Sequence, residues 1–127
     1  MDEFSNNKNN RQYDLEERTV KFAEDLVSFL RTIKIDAINQ RIITQLVGSS
    51  GSIGANYCEA TEAESKKDFI HKIGISKKEI KETSHWLRLL AGSNPERKEE
   101  IKKFWKENHE LLLIFSKIKV SCLRTRN

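Results

Sequence analysis

Residues 65–92 read SKKDFIHKIGISKKEIKETSHWLRLLAG. Within this stretch, apolar and small polar side chains recur at alternating steps of four and three, a spacing that places them on one face of a helix. The members of this seam are Phe69, Ile73, Ser76, Ile80, Thr83, Leu87 and Leu90. Ser65 with Asp68 three residues later is a variant of the capping box that starts helices, and Gly92 marks the end. The stretch therefore predicts one long amphipathic helix.

The same periodicity continues on both sides of this helix. Asp14 and Asp36 are candidate N-caps for two earlier helices, and Asn94 followed by Pro95 is a typical start for a fourth. The predicted helices span about 15–33, 37–64, 66–91 and 95–122. Because the connections between them are short, neighbouring helices are expected to be antiparallel. The sequence thus predicts an all-α protein, an antiparallel up-down-up-down four-helix bundle.

Length and composition agree with one domain. The chain has 127 residues, 37% of them hydrophobic and 33% charged, and one domain typically takes roughly 100–200 residues. Residues 1–13 contain four Asn and few apolar side chains, so they are predicted to be a flexible tail before a bundle at 14–127. No apolar run approaches the roughly 20 residues that cross a bilayer, and no membrane partner is expected. Two Cys without a signal-like segment favour a cytoplasmic location.

Positive charge is concentrated in the second half of the chain. Residues 1–64 carry a net charge of −4, and residues 65–127 carry +8. Opposite the seam of helix three runs a stripe that contains no acid. Its members are Lys67, His71, Gly74, Lys78, Lys81, His85 and Arg88. With Lys102, Lys103 and Lys106 of helix four, the cationic members are the candidate nucleic-acid-binding residues, because clustered cations bind phosphates by releasing counterions.

The specificity of such a stripe is expected to be low. No aromatic platform and no base-reading motif is predicted beside it, so binding would depend on phosphates and only weakly on base sequence. An ordinary solvated Lys-rich surface is the alternative explanation of the same pattern.

Two helices carry more apolar surface than a lone bundle buries. Residues 111–115, LLLIF, are apolar all round helix four, and helix two offers apolar and small residues beyond its main stripe. The candidate oligomer-interface residues are Ile43, Val47, Gly51, Gly54, Cys58, Leu113 and Val120. Because large exposed apolar patches mark interaction sites, the sequence predicts a homo-oligomer.

No pattern in the chain predicts catalysis. Residues 48–55, GSSGSIGA, lack the Lys-Ser/Thr ending of a phosphate-binding loop, so close helix packing is predicted there instead. Glu82 and His85 have the Glu-x-x-His spacing of di-metal bundles, but no second such pair exists. We expect no catalytic residue, no metal and no cofactor. The alternatives left open are a scaffold with protein partners alone and, more remotely, a metal-dependent bundle enzyme that uses Glu82 and His85.

Three segments resemble a known family. They are residues 52–60, SIGANYCEA, residues 65–72, SKKDFIHK, and the positions Ser76, Glu79, Glu82, Trp86 and Leu87. In order and spacing they are similar to the four-helix-bundle proteins encoded in 23S ribosomal RNA intervening sequences. The resemblance covers residues 14–91 well, whereas helix four resembles the family only in the general character of its residues.

The resemblance implies a bacterial cytoplasmic bundle that assembles as a homopentamer. It also implies a distant kinship with the accessory protein of diversity-generating retroelements, a basic pentamer that engages a reverse transcriptase and nucleic acid. Besides the chain itself, RNA or DNA and a nucleic-acid-processing protein are therefore the expected partners. The polar positions shared with the family, here Asn56, Glu59, Ser76 and Glu79, are implied to be structural.

Overall fold

The computed structural model describes the backbone of residues 11–124 and the side chains of residues 15–124. Four long helices follow one another in this part of the chain: α1 (Arg11–Leu30), α2 (Ala37–Thr61), α3 (Lys66–Ser93) and α4 (Lys98–Arg124). Each helix packs against the next, and α1 also contacts α4. The contact between α2 and α3 is the most extensive, and the contact between α1 and α4 is the sparsest. The predicted all-α four-helix bundle is confirmed.

The first helix begins and ends earlier than the sequence predicts. It includes Arg11, which lies inside the predicted tail. The remainder of that tail, residues 1–10, lies outside the described residues. At the other end, the amide and hydroxyl of Thr32 both donate to the carbonyl of Phe29, at 2.9 and 2.6 Å. These three-residue hydrogen bonds tighten the chain and end the α-helix at Leu30.

Two of the four predicted N-caps are confirmed. Asp36 and Ser65 each accept a hydrogen bond from the backbone amide three residues later, at 2.7 and 3.0 Å. Asp14 lies inside α1 rather than before it. The side chain of Asn94 makes no cap, and a 3-10 turn, Pro95–Arg97, precedes α4.

The apolar seams of the four helices form the core, as their spacing predicts. The largest fully buried apolar side chains are Leu26, Leu46, Ile53, Ile73, Ile80, Leu87, Leu90, Ile101, Leu111 and Phe115. Between α1 and α4 the core is aromatic, since the ring of Phe104 lies 6.4 Å from that of Phe22 and 5.2 Å from that of Phe29. Apolar burial contributes about 25 cal/mol per Å² and holds the four helices together.

Buried hydroxyl groups join α2 to α3. Ser76 Oγ donates to the carbonyl of Ile53 at 2.9 Å, and Thr83 Oγ1 donates to Ser49 Oγ at 2.8 Å. All four residues are buried. Since a buried polar group without a partner costs about 1–3 kcal/mol, these two contacts fix the position of α2 along α3.

A polar cluster closes the end of the bundle where α3 leads into α4. Asn39 and Asn94 are both buried, and their side chains exchange hydrogen bonds of 2.9 and 3.0 Å. Ser93 Oγ donates to the same amide oxygen of Asn39 at 2.8 Å. Arg97 donates to the carbonyl and hydroxyl oxygens of Thr32, at 3.1 and 2.9 Å. Asn94 therefore links helices instead of capping α4.

The small-residue run of α2 lets α1 come close at one glycine. A Cβ atom on Gly54 would lie 2.9 Å from Oγ1 of Thr19 in α1, whereas a Cβ atom on Gly51 would meet nothing within 4 Å. Of these two glycines, Gly54 confirms the predicted close packing and Gly51 does not. Gly54 is buried within the chain's own α1–α2 contact, so it is not part of the exposed surface that a second subunit would cover.

We expect Gly54→Ala to lower the free energy of unfolding by about 1–3 kcal/mol, because the added methyl group overlaps the hydroxyl of Thr19. Gly51→Ala is the matched control. It makes the same change in the same helix and is expected to raise stability by up to about 1 kcal/mol, because Ala favours helices over Gly. Urea denaturation followed by circular dichroism measures both variants.

A second variant checks the cause of the Gly54→Ala effect. Adding Thr19→Ala removes the overlapping hydroxyl and is expected to recover part of the lost stability. Equal effects of Gly54→Ala and Gly51→Ala, or no recovery in the double variant, would contradict the close approach of α1 and α2.

Candidate nucleic-acid interface

The acid-free stripe lies on the surface of α3. Its exposed members are Lys67, His71, Lys78, Lys81, His85 and Arg88. Lys72 lies off the stripe, and its ammonium group pairs with Glu59 of α2 at 2.6 Å. Glu79 is also off the stripe and half-buried; burial, followed by the charge of Glu82, raises the pKa of its carboxyl group. Glu82 is exposed and the charge of Lys78 acts on the Glu79 carboxyl group, so these acids border the stripe without belonging to it.

Asn108 fixes the position of α4 along α3. Its Nδ2 atom donates to the carbonyl of Ile80 at 2.9 Å and to Oγ of Ser84 at 2.7 Å. Farther along the pair, Nζ of Lys119 lies 3.5 Å from the place that a Cβ atom of Gly74 would take. The two helices are therefore antiparallel, and the stripe, which includes Gly74, borders α4. Lys119 is a cation at this border that the sequence pattern does not reveal, because only the register brings it to α3.

Contacts with α1 distinguish the two sides of α4. Arg18 of α1 donates to both carboxylate oxygens of Glu107, at 2.7 and 2.9 Å, and this contact raises the pKa of the guanidinium group. Lys103 lines the adjoining groove of about 290 Å³ between α1 and α4. Trp105 is two positions from Glu107, which is about 200° around the helix. Glu107 thus lies toward α1 and Trp105 toward α3, while Lys103 lines both this groove and a shallow depression that Trp105 also lines.

An aromatic pair lies among the lysines of α4. The rings of Trp105 and His109 are stacked, with centroids 5.3 Å apart and planes 3° from parallel. Trp105 is 37% exposed, and Lys102 and Lys106 beside it are exposed as well. The sequence pattern predicts no aromatic platform beside the stripe of α3, and the structure places this stacked pair on the neighbouring helix α4. The signal in the sequence is the four-residue spacing of a Trp and a His, which brings side chains together on a helix.

The register brings this pair next to the stripe of α3. Because α3 and α4 are antiparallel, a step back along α4 corresponds to a step forward along α3. Three steps back from Asn108, Trp105 therefore lies level with His85, which is three steps beyond the middle of the contact with Ile80 and Ser84. In the same way, His109 lies level with Lys81. We call the resulting area the basic–aromatic surface. Its members are Lys78, Lys81, His85, Arg88, Lys102, Trp105, Lys106 and His109.

The candidate oligomer-interface residues fall into two areas. The exposed or half-buried members are Ile43, Val47, Gly51, Cys58, Leu113 and Val120. Burial, followed by the charge of Glu16 in α1, raises the pKa of the Cys58 thiol, so the α2 members border α1. Leu113 and Val120 are 52% and 48% exposed on α4. Leu113 lies one turn beyond His109, on the side of α4 that faces away from α1.

The four polar positions that the family resemblance implies to be structural make different contacts. Ser76 is buried and bonds to α2, and Glu59 is exposed and pairs with Lys72. Asn56 is half-buried and donates to the carbonyl four residues earlier in its own helix, at 2.9 Å. Glu79 is half-buried at the surface of α3.

The described residues contain neither a metal site nor a membrane span. No group of three or more His, Cys, Asp and Glu side chains within residues 15–124 is placed to hold a metal ion. Glu82 instead accepts a 3.4 Å hydrogen bond from the indole of Trp86, and His85 packs edge-on against that ring. None of the four described helices is long and apolar enough to cross a membrane.

Comparison with known proteins shows the family. The family model described as 23S rRNA-intervening sequence protein matches residues 11–117. The chain belongs to this family. The match includes α4 up to residue 117, so the similarity to the family extends beyond residues 14–91, where the resemblance in sequence is clearest.

A solved structure shows the same fold in a relative of this family. It is the 1.70 Å crystal structure of a protein with unknown function from the S23 ribosomal protein family of Bacteroides thetaiotaomicron. The two chains are 28% identical and superpose with a TM-score of 0.74, over 83% of this chain and 97% of the other. None of the curated proteins compared with this chain matches it.

Replacing Asn108 tests the contact on which the register of α3 and α4 depends. We expect Asn108→Ala to lower the free energy of unfolding by about 1–3 kcal/mol, because two buried hydrogen bonds are lost. Asn108→Asp is expected to cost more, about 3 kcal/mol or more at pH 7, because a buried carboxylate has no donor for the Ile80 carbonyl and loses its hydration. Urea denaturation measures both. An Asn108→Asp protein as stable as the Asn108→Ala protein would contradict this account.

Proposed function

We propose that the protein is a homo-oligomeric scaffold that binds nucleic acid, with RNA as the principal candidate, through the basic–aromatic surface. The observation that carries the proposal is the combination of an exposed stripe without acids on α3 with the lysines and aromatic pair of α4. Binding to phosphates releases counterions from the nucleic acid, and its strength grows with the number of cations that reach the backbone.

The charges around this surface support the proposal. Glu107, two positions from Trp105, is neutralised by two hydrogen bonds from Arg18. Glu110 also acts on the Arg18 guanidinium, whose pKa it helps to raise. The carboxylate of Glu107 is thus compensated from α1, whereas Glu110 is exposed in the same depression as Lys106. The lysines of the basic–aromatic surface outnumber this acid, and their charge attracts phosphates.

The two apolar areas support self-association. One borders α1 on α2 and includes Val47, and the other lies on α4 at Leu113 and Val120, on the side away from α1. A two-fold interface pairs one area with itself, whereas a repeated head-to-tail contact pairs the two different areas and forms a ring when the rotation between copies closes. The family resemblance implies a pentamer, and the separation of the two areas agrees with such a ring.

Charge reversal tests nucleic-acid binding. We expect Lys78→Glu, Lys81→Glu and Arg88→Glu together to weaken RNA binding at least about tenfold and to reduce the dependence of affinity on salt, because fewer counterions are released. The matched control is Arg31→Glu, Lys34→Glu and Arg41→Glu, which changes the net charge equally at exposed positions near the connection of α1 and α2. Fluorescence anisotropy with labelled RNA at several salt concentrations measures both.

The control separates a local effect from a general one. We expect it to bind RNA within about threefold of the unchanged protein, since its positions lie off the basic–aromatic surface. Equal loss in both triple variants would mean that net charge alone drives binding. Unchanged RNA affinity in the first variant would exclude the surface and favour a scaffold with protein partners alone.

Molecular mass tests self-association. Light scattering after size exclusion is expected to give a mass near five times the 14.8 kDa of one chain. Leu113→Glu with Val120→Glu is expected to lower that mass, because two charges would enter an apolar contact. Leu123→Glu is the control, at a residue that is 64% exposed. A monomeric unchanged protein would rule out the ring.

A further inference from the structure

We infer that the stacked pair of Trp105 and His109 is a platform for an unpaired base, so that the ligand of the basic–aromatic surface is single-stranded nucleic acid. This inference rests on the proposed function and names its substrate class. It adds a contact to bases where the cations alone contact phosphates.

The geometry of the pair is that of a flat platform. The two rings are 3° from parallel with centroids 5.3 Å apart, so they form a short stack on the outside of α4. Trp105 remains 37% exposed after this stacking. A nucleobase presents a flat π surface of the same kind, and stacking on aromatic side chains is the usual way in which proteins hold unpaired bases.

Packing against α1 does not account for the pair. The neighbouring Phe104 contacts Phe22 and Phe29 and so supplies the aromatic contact between α4 and α1. Trp105 points about 100° away from Phe104 around the helix. The stack also lines a shallow depression of about 450 Å³ on the outer surface of α4, whose other lining residues are Lys103, Lys106, Glu107 and Glu110.

The other tryptophan offers a contrast. Trp86 is half-buried, its indole donates to Glu82 at 3.4 Å, and His85 meets it edge-on with the ring planes at 77°. Its polar edge is therefore engaged by a carboxylate, which repels phosphates. Of the two tryptophans in the chain, Trp105 has both a parallel ring partner and lysine neighbours.

The charges around Trp105 select a nucleic acid over an apolar partner. Lys102 and Lys106 lie within one turn of it and are exposed, and the register adds His85 of α3 at the same level. Phosphates on either side of a stacked base would meet the two lysines. In a duplex the bases are already stacked on one another, so the platform adds affinity only where a base is unpaired.

Binding of three oligomers of about 12 nucleotides, a length within the site sizes of single-strand binders, tests the inference on the full chain. The probes are single-stranded oligoadenylate, an RNA duplex, and an abasic strand that carries phosphates without bases. We expect Trp105→Leu to weaken oligoadenylate binding about five- to a hundredfold, the range that loss of one stacked base produces. Its affinity for the duplex and the abasic strand is expected to stay within about twofold.

Matched variants separate stacking from bulk. Trp105→Phe keeps an aromatic ring and is expected to retain oligoadenylate binding within about threefold. Trp86→Phe is expected to bind like the unchanged protein and leaves Trp105 as the one tryptophan of the chain. In that variant, oligoadenylate is expected to quench the tryptophan fluorescence and the abasic strand to leave it unchanged. Circular dichroism confirms that each variant is folded.

The outcomes distinguish this inference from the proposed function. If Trp105→Leu weakens binding of all three probes equally, or of none, the stacking platform is overturned while nucleic-acid binding stands. If no probe binds but polyglutamate of equal charge does, the surface takes an acidic protein segment and both proposals fall. Selective loss of oligoadenylate binding in Trp105→Leu, with retention in Trp105→Phe, supports the platform.

Discussion

Hydrogen bonds on the buried face of α3 fix both of its neighbours along the bundle. Ser76 and Thr83 donate to α2, while the carbonyl of Ile80 and the hydroxyl of Ser84 accept from Asn108 of α4. Apolar side chains tolerate small slips, because their attraction has no direction. A buried polar group that loses its partner costs about 1–3 kcal/mol, so each slip is penalised at several places at once. The helices are held together by apolar burial, and their register is set by these few polar contacts.

The basic–aromatic surface depends on that register. Trp105 and His109 lie level with His85 and Lys81 of α3 because Asn108 sets α4 at one level beside Ile80. On the other side of α4, the paired charges of Arg18 and Glu107 keep a carboxylate turned toward α1. The core thus determines which charges share a surface, and a replacement such as Asn108→Ala would disturb the surface without touching any of its members.

The sequence predicts those features that depend on spacing along one helix. Ile73, Ile80 and Leu87 are predicted on one seam and are fully buried, because helical periodicity alone decides which side chains face inward. Features that depend on contact with a second helix cannot be predicted from this spacing. Gly51 and Gly54 are the same residue type in one small-residue run, and only the path of α1 makes one of them indispensable.

The candidate site illustrates the same limit. Lys103 and Lys106 are three residues apart and look alike in the sequence, yet Lys103 lines the groove beside Arg18. Lys119, with no signal of its own, reaches Gly74 of the stripe.

The contact between α1 and α4 joins residues 89 positions apart in the chain and is the sparsest in the bundle. During folding, α2, α3 and α4 meet through short connections, whereas α1 and α4 close the ring of helices only after a long loop has lost its freedom. We therefore expect the native bundle to open first at the contact between α1 and α4, because local unfolding begins where contacts are fewest.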